Sequence, residues 1–424
     1  MSTAIVTGAT GITGSAVVQE LLKDDSYIKL YTFSRRNQGN LNPKVQHASL
    51  DLQNDAKEMA ESLKGVSADY VFFCAYLEKS DPDEATEING KMLSNFIEAL
   101  TQTGATKQLK RFILTCGFKQ HGVHLGPVKQ PSEESDPLIT NDITGGSWPS
   151  NFYYKQEQIL VDASRNRHWE WVCTLPEDVL GYAKGNFMNE ATALGIYCSV
   201  CKALPGSELP FPGNRLSYLA LNTWTSARLH AKFCLWAAKA PNAGNNIFNV
   251  TNGDTQSFQN LWPKLAKRFG CKVPDPMFPD NIDLNTDTKG YKQYEPSLVH
   301  LKNKSPMIVH AKDMGLSNDP LVQNEPVLNL QIDPIKWAQR DDVKKTWEIL
   351  RDKYNLDQDV WEKATWAFLS FVLGRSWNCV GNMNKARKLG WTGYADTWDD
   401  IEEILQTLEK EHMIPPAEKL RADF

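Results

Sequence analysis

A glycine-rich turn near the start of the chain constrains the fold more than any other segment. Gly8, Gly11 and Gly14 stand three residues apart. They come directly after the short apolar run Ala4–Val6, and Ser15–Lys23 follows with Val and Leu at helical spacing. When a glycine turn connects a strand to a helix, its backbone can approach a phosphate group, which then lies at the positive end of that helix. The segment predicts the phosphate-binding turn of a dinucleotide-binding domain, and a purely structural tight turn is the alternative.

Short apolar runs alternate with amphipathic ones over the first 250 residues. One amphipathic segment, Asn89–Leu100, stands between two of the apolar runs. The predicted strands are Ala4–Val6, Ile28–Phe33, Val45–Leu50, Asp69–Ala75, Arg111–Thr115, Trp171–Leu175 and Asn246–Val250. Because strands separated by helices pair in parallel through right-handed crossovers, the pattern predicts an α/β fold with a doubly wound parallel Rossmann sheet.

Helical patterns dominate the second part of the chain. Residues 120–150 and 275–335 are rich in turn-forming residues, so the first is predicted to be a long loop and the second a flap or an insertion. The predicted helices are Phe258–Phe269, Val343–Tyr354, Val360–Leu373 and Asp399–His412. We therefore predict a nucleotide-binding domain over residues 1–255, which carries the catalytic residues. A mostly helical substrate-binding region is predicted over residues 256–424, with a contribution from residues 185–215.

The composition of the chain indicates which class of molecule it binds. The chain has 424 residues, with 46 Lys and Arg against 51 Asp and Glu, a net charge of −5. Such a balance offers no electrostatic footprint for nucleic acid or an anionic membrane, and no apolar run has signal-peptide or membrane-spanning length. Cys198 and Cys201 have the spacing of half a zinc site, but no second pair follows. We predict a cytoplasmic protein without a metal site that binds a small molecule.

The end of the second predicted strand indicates which dinucleotide the turn would hold. Ser34, Arg35 and Arg36 stand where NAD-binding sheets usually place an acidic residue. Since a guanidinium group matches phosphate oxygens, the pair of arginines favours the 2′-phosphate of NADP(H), with a solvated basic turn as the alternative. Asp51 and Leu52, after the third strand, are predicted to flank the adenine. The predicted contacts in the turn itself are Gly8, Thr10, Gly11, Ile12 and Gly14.

Two further segments carry polar groups suited to catalysis. Lys119 comes shortly after a predicted strand, and Asn151–Tyr154 opens an amphipathic helix. Short-chain dehydrogenases place a Lys four residues after a Tyr on that helix, but neither Tyr153 nor Tyr154 is followed by a Lys at that distance. Packing of the aromatic rings in the core is the alternative.

Together these segments resemble the progesterone 5β-reductase/iridoid synthase-like (PRISE) family of atypical, extended-type short-chain dehydrogenases. The resemblance runs along almost the whole chain. Besides the glycine turn and Ser34–Arg36, the matching segments are Glu87–Met92, Gly117–Lys119, Leu125–Pro127, Asn151–Tyr154, Tyr197–Lys202, Phe211–Gly213, Phe248–Asp254 and Asn382–Lys385.

The resemblance implies reduction, by NADPH, of a C=C bond conjugated to a carbonyl group. It assigns the hydrogen bond to the enolate oxygen to Tyr153, assisted by Lys119, with Tyr154 as the alternative donor. Such a donor stabilises negative charge as it develops on the oxygen. The further cofactor contacts are Ala75, Thr115 and Val179.

The partner that the resemblance implies is a small-molecule carbonyl compound, and a homodimer is left open. The predicted substrate contacts are Tyr154, Trp366 and Phe368. Aromatic residues at helical spacing pack in cores as often as they line pockets. Trp366 and Phe368 could therefore contact the substrate or pack in the core.

Two departures from the family pattern affect the predicted site. Glu177 and Asp178 replace neutral residues where the chain passes the nicotinamide, and they either point inward or form a solvated turn. The loop after Lys119 is longer than in the plant proteins, and its His121 and His124 are expected to be solvated.

Other functions on the same scaffold remain as alternatives. The chain could reduce a carbonyl group or catalyse a non-redox cyclisation, or it could sense NADP(H) without turnover, as NmrA-like regulators do. The presence of both Tyr153 and Lys119 favours an enzyme.

Overall fold

A seven-stranded parallel sheet forms the centre of the computed structural model, which describes residues 1–35, 42–144, 146–183, 189–279 and 294–424. Its strands are β1 (Ser2–Thr7), β2 (Tyr27–Ser34), β3 (Val45–Ser49), β4 (Tyr70–Phe73), β5 (Arg111–Thr115), β6 (Glu170–Pro176) and β9 (Asn246–Val250). The order across the sheet is β3-β2-β1-β4-β5-β6-β9, and every neighbouring pair is parallel. The predicted doubly wound Rossmann fold is confirmed.

Short strand pairs lie outside this sheet. β7 (Val179–Leu180) pairs with β8 (Thr225–Ser226) in parallel, and β10 (Ser297–His300) pairs with β11 (Val327–Leu330) in antiparallel. The second pair lies within residues 275–335, for which no strand was predicted, because its strands are only four residues long and stand in a segment rich in turn-forming residues. Residues 280–293 of that segment lie outside the described residues.

Helices cover the sheet and form the rest of the molecule. The first eight are α1 (Ile12–Lys23), α2 (Ala56–Ser62), α3 (Pro82–Gln102), α4 (Asn141–Thr144), α5 (Phe152–Ser164), α6 (Glu190–Ala203), α7 (Arg215–Leu219) and α8 (Ala227–Lys239). The others are α9 (Phe258–Phe269), α10 (Pro320–Gln323), α11 (Pro334–Gln339), α12 (Asp341–Tyr354), α13 (Trp366–Gly374), α14 (Asn384–Lys388), α15 (Thr397–Lys410) and α16 (Ala417–Asp423). Short 3-10 helices span Ala105–Lys107, Phe118–His121 and Pro306–His310.

Alternating side chains of the strands divide the sheet core in two. On β1, Ala4 and Val6 pack with α1 and α8, whereas Ile5 packs on the opposite face with α2, α3 and α5. This period of two is what a strand covered on both faces requires. The chain returns to this core near its end, where Trp391 packs edge-to-face on Phe233 of α8.

A separate apolar core joins α6 to α9, α12, α13, α15 and α16. Tyr197 of α6 lies at its centre, 4.7 Å from the ring of Trp337. Because α6 belongs to this core, the helical part of the molecule includes residues well before position 255. The division of the chain into domains at that position stays a prediction.

Helix α13 begins six residues later than predicted. Val360 and Trp361 are buried in turns rather than in a helix. The cause is Thr365, whose hydroxyl oxygen accepts from the Asn189 amide at 3.1 Å and donates to the Asn189 carbonyl at 3.2 Å. The start of α13 is thereby joined to the start of α6.

All eight cysteines lie in the described residues and are free thiols, and both Cys198 and Cys201 are buried inside α6. Among the described residues, no helix combines the length and the apolar character that crossing a membrane would need.

Candidate active site

A cavity of about 860 Å³ lies at the carboxyl ends of the parallel strands. Its size is within the range of about 300–1,000 Å³ that is typical of small-molecule sites. Residues at or just beyond the ends of five strands line it, namely Gly8, Ser34, Ala75, Thr115 and Pro176. Open α/β sheets bind their ligands along this edge, so the cavity is the candidate active site.

The glycine turn forms one end of the cavity. Gly8 has a φ of +63°, which favours glycine, and Gly11 begins α1 without a side chain that caps the helix. The first amides of α1 are therefore not occupied by a side-chain cap and suit an anionic ligand. Gly14 is not on the cavity wall. A Cβ atom there would overlap the carbonyl oxygen of Gly8, so Gly14 supports the turn rather than contacting a cofactor.

The other predicted cofactor contacts are mostly on the wall. Thr10, Gly11, Ile12, Asp51, Leu52, Ala75, Thr115 and Val179 all line the cavity. Ser34 ends β2 and lines it too, and the exposed Arg35 stands beside it. Arg36 lies outside the described residues. One arginine of the predicted pair, Arg35, therefore lines the cavity beside the end of β2.

Tyr153 stands at the opposite end of the cavity, in the first turn of α5. Asn151 begins this helix, since its side-chain oxygen accepts from the Tyr153 amide at 3.0 Å. The same side chain donates to the carbonyl oxygen of Lys119 at 2.7 Å. A Cβ atom on Gly117 would stand 3.1 Å from the Tyr153 hydroxyl and 3.4 Å from the Pro176 carbonyl oxygen. The hydroxyl is thus close to the segment that follows β6.

Burial fixes the protonation state of this tyrosine. Burial first, and then Cys116, Tyr76 and Glu78, raise the pKa of Tyr153 well above its usual value. The side chain is therefore a neutral hydroxyl at physiological pH. Among the described residues it has no hydrogen-bond partner, so its proton can be donated to a ligand in the cavity.

Lys119 lines the same end of the cavity. It was expected to assist the Tyr153 hydroxyl, but it does not influence the pKa of that group. Its Nζ lies 4.0 Å from Glu78 Oε2, and both side chains are about one-third exposed, at 30% and 32%. Lys119 is not among the groups that shift the pKa of Tyr153. Its charge faces the cavity as part of an ion pair with Glu78.

Tyr154 points away from the cavity. Its hydroxyl donates to the carbonyl oxygen of Gln120 at 2.9 Å and accepts from the Ile139 amide at 3.2 Å. Consecutive residues on a helix diverge by about 100°, so only one of the two tyrosines can face the ligand. The prediction of Tyr154 as a substrate contact or alternative donor is wrong for this structure.

Helix α13 supplies an aromatic part of the cavity wall. This aromatic wall consists of Phe368 and Phe371, with Ala367 beside them. Trp366 is not on the wall. It packs against Trp337 and Trp361, with ring centroids 5.6 and 5.1 Å away, so its predicted contact with substrate is replaced by a role in the helical core. Phe371 was not predicted from the sequence, although it lies one helical turn after Phe368.

The two histidines of the long loop are not solvated. His121 is buried, and its Nε2 lies 2.8 Å from Asn249 Oδ1 on β9. His124 lines the cavity, where burial, together with the charge of Lys119, lowers its pKa to about 3. Its ring is therefore neutral at physiological pH. The expectation of solvent-exposed histidines is wrong because the loop folds back onto the sheet edge.

Glu177 and Asp178 both point inward, so a solvated turn is excluded. Glu177 is 3% exposed and accepts a hydrogen bond from the Thr223 hydroxyl. Burial and the neighbouring Asp178 raise the pKa of Glu177 well above its usual value, which favours the protonated form. Asp178 accepts from Arg375 Nη2 at 2.8 Å. Both residues line the cavity, and the charge of Asp178 is balanced there by Arg375.

Comparisons with known proteins agree with this architecture. Residues 40–290 match the model of the family described as the PRISE-like Rossmann-fold domain. An uncharacterized protein of Schizosaccharomyces pombe is 36% identical over 416 residues, which cover 97% of this chain and 98% of that protein. A 3-oxo-Δ4,5-steroid 5β-reductase of Arabidopsis thaliana is 30% identical over 405 residues, covering 93% and 89% of the two chains.

The fold of this chain is also similar to that of a solved structure. The enzyme WbmF of Bordetella bronchiseptica, in complex with NAD+, superposes with a TM-score of 0.56 at 15% identity. The match covers 100% of this chain and 96% of that chain. At this identity the likeness concerns the fold alone.

Proposed function

The chain belongs to the family of PRISE-like Rossmann-fold proteins and is an oxidoreductase of the short-chain dehydrogenase type, and on that premise we propose that it reduces C=C bonds conjugated to a carbonyl group, with NADPH as reductant. The observation that carries the proposal is the neutral hydroxyl of Tyr153, which lines the cavity beside the segment that follows β6 and has no hydrogen-bond partner in the described part of the chain. A buried donor in this position is suited to an oxygen atom that gains negative charge.

The residues at the other end of the cavity fit a dinucleotide. The turn at Gly8 and the uncapped start of α1 would hold the pyrophosphate, and Asp51 and Leu52 would flank the adenine. Arg35 would bind the 2′-phosphate. When bound, the reduced nicotinamide supplies the hydride.

Tyr153 would hold the substrate by its carbonyl oxygen. Addition of hydride at the β-carbon moves an electron pair to that oxygen, and a hydrogen bond from the Tyr153 hydroxyl stabilises the resulting enolate. Lys119 adds positive charge at the same end of the cavity, and its backbone is joined to the start of α5 through Asn151. Because the pKa of Tyr153 is strongly raised, the tyrosine keeps its proton, and the α-carbon of the enolate takes a proton from water.

A direct test follows NADPH oxidation with a panel of small enones and enals, and matched saturated ketones and aldehydes serve as controls. We expect consumption of NADPH only with the conjugated compounds. Consumption with the saturated compounds as well would favour carbonyl reduction on the same scaffold. Tight binding of NADPH without turnover of any compound would favour a sensor and contradict the proposal.

The preference for NADPH over NADH can be tested by substitution of Arg35. We expect Arg35→Ala to weaken binding of NADPH about tenfold or more, because a charge-assisted hydrogen bond to phosphate contributes about 1.5–3 kcal/mol. Binding of NADH, which lacks the phosphate, should change by less than about twofold. Titration calorimetry measures both affinities, with the exposed Arg165→Ala as the matched control. Equal affinities of the unmodified protein for NADPH and NADH would contradict the assignment.

A further inference from the structure

A buried ion pair joins two sides of the cavity wall that are distant in sequence. Arg375 Nη2 lies 2.8 Å from Asp178 Oδ2, and the two side chains are only 1% and 12% exposed. Asp178 follows β6 and lines the cavity next to Val179, a predicted cofactor contact. Arg375 directly follows the last residue of α13. The pair therefore connects the cofactor side of the cavity to the helix that carries the aromatic wall.

Arg375 also contacts the aromatic wall itself. Its guanidinium carbon lies 5.4 Å from the ring centroid of Phe371, a cation–π distance. Its Nη2 donates in addition to Asn222 Oδ1 at 3.3 Å. Asn222 is held in turn by backbone hydrogen bonds in both directions with Gln256. The Arg375 side chain thus contacts the aromatic wall and forms hydrogen bonds with both Asp178 and Asn222.

Asp178 balances the charge of Arg375, and two further carboxyl groups lie near this ion pair. Glu177 and Glu190 face the same cluster, and burial, followed by the charge of Asp178, raises the pKa of both groups, to about 8 for Glu190. Glu190 is therefore predominantly neutral at physiological pH. Arg375 is matched by the carboxylate of Asp178, and removal of either partner leaves a buried charge without its counterion.

We propose that Arg375 is a positioning residue of the active site, which, by binding Asp178, holds Phe368 and Phe371 against the bound substrate. The consequence for kinetics rests on the proposed reductase function, whereas the consequence for α13 does not. Loss of the pair releases the end of α13, so the wall moves and the substrate is held less well. The carbonyl-binding hydroxyl of Tyr153 is on a different helix and stays in place.

Hydrogen exchange tests the structural part of this proposal without any need for activity. We expect the amides of residues 366–374 to exchange at least about tenfold faster in Arg375→Lys than in the unmodified protein, because local opening becomes easier. The matched control is Arg268→Lys. The side chain of Arg268 is only 8% exposed; it pairs with Glu402 at 2.8 Å and joins α9 to α15 away from the cavity. Exchange of α13 within about twofold of the unmodified protein in Arg375→Lys would overturn the proposal.

Kinetics with a reducible enone then separates positioning from a general loss of structure. We expect KM to rise at least about fivefold in Arg375→Lys, with kcat within about threefold and NADPH affinity within about twofold of the unmodified protein. A fall in kcat with unchanged KM would overturn the positioning role. If the unmodified protein reduces no enone, the proposed function fails while the exchange measurement still decides on Arg375.

A second variant covers the case in which Arg375→Lys does not fold. Asp178→Asn removes the charge of the other partner, and we expect the same faster exchange confined to α13. The double variant Asp178→Leu with Arg375→Met removes both charges and leaves no unmatched ion. If it folds with the α13 exchange and KM of the unmodified protein, the ion pair is not needed for positioning and the proposal is overturned.

Discussion

Tyr153→Phe is expected to lower the rate of enone reduction about a hundredfold or more while NADPH affinity stays within about twofold. Removal of one oxyanion donor typically raises the barrier by about 2.7–4 kcal/mol. The substitution deletes only the hydroxyl, whose neighbours include the Gly117 backbone, and it leaves the packing of the ring on Phe152 in place. Single-turnover rates and fluorescence titration of NADPH measure the two quantities.

Tyr154→Phe is the matched control for that substitution. The Tyr154 hydroxyl bonds to the Gln120 carbonyl and the Ile139 amide, so its loss should cost about 0.5–1.5 kcal/mol of stability per bond and change the rate by less than about threefold. A large loss of rate in Tyr154→Phe, with a near-normal rate in Tyr153→Phe, would contradict the placement of the catalytic hydroxyl.

Gly14→Ala is expected to weaken NADPH binding about a hundredfold or more. The added Cβ atom would overlap the Gly8 carbonyl oxygen and approach Ala9, and both contacts are with backbone that cannot rotate away. The turn must therefore shift, which displaces the amides that would bind the pyrophosphate. A shift of this kind also lowers stability by about 1–3 kcal/mol.

The control for Gly14→Ala is Ser15→Ala at the next position of α1. Ser15 donates only to the Ile12 carbonyl within its own helix, at 3.2 Å, so NADPH affinity should stay within about twofold. Isothermal titration and thermal unfolding of both variants measure affinity and stability. Normal NADPH affinity in Gly14→Ala would show that the glycine turn does not hold the cofactor.

The sheet could be predicted from the sequence because its determinants are local. Arg111–Thr115 and Asn246–Val250 are apolar runs bounded by polar residues, and they are strands with the same bounds in the structure. Parallel pairing then follows from the helices between successive strands. Since the cavity lies at one edge of such a sheet, most of the predicted cofactor contacts also line it.

The catalytic end was harder to predict because its geometry depends on residues far apart in the chain. The Asp178 side chain is held by a hydrogen bond from Arg375, 197 residues later, and the buried His121 contacts Asn249 on β9. Neither partner can be identified from local pattern. The same limit applies to Trp366, whose partners Trp337 and Trp361 come from other elements of the helical core.

Reduction with NADPH that carries deuterium at the transferable position of the nicotinamide shows which carbon of the substrate receives the hydride. With an enone that the protein turns over, nuclear magnetic resonance of the product locates the transferred deuterium. We expect a saturated ketone with deuterium on the β-carbon and a solvent proton on the α-carbon. Deuterium on the carbonyl carbon of an allylic alcohol would contradict the proposed function, because the Tyr153 hydroxyl would then serve carbonyl reduction instead.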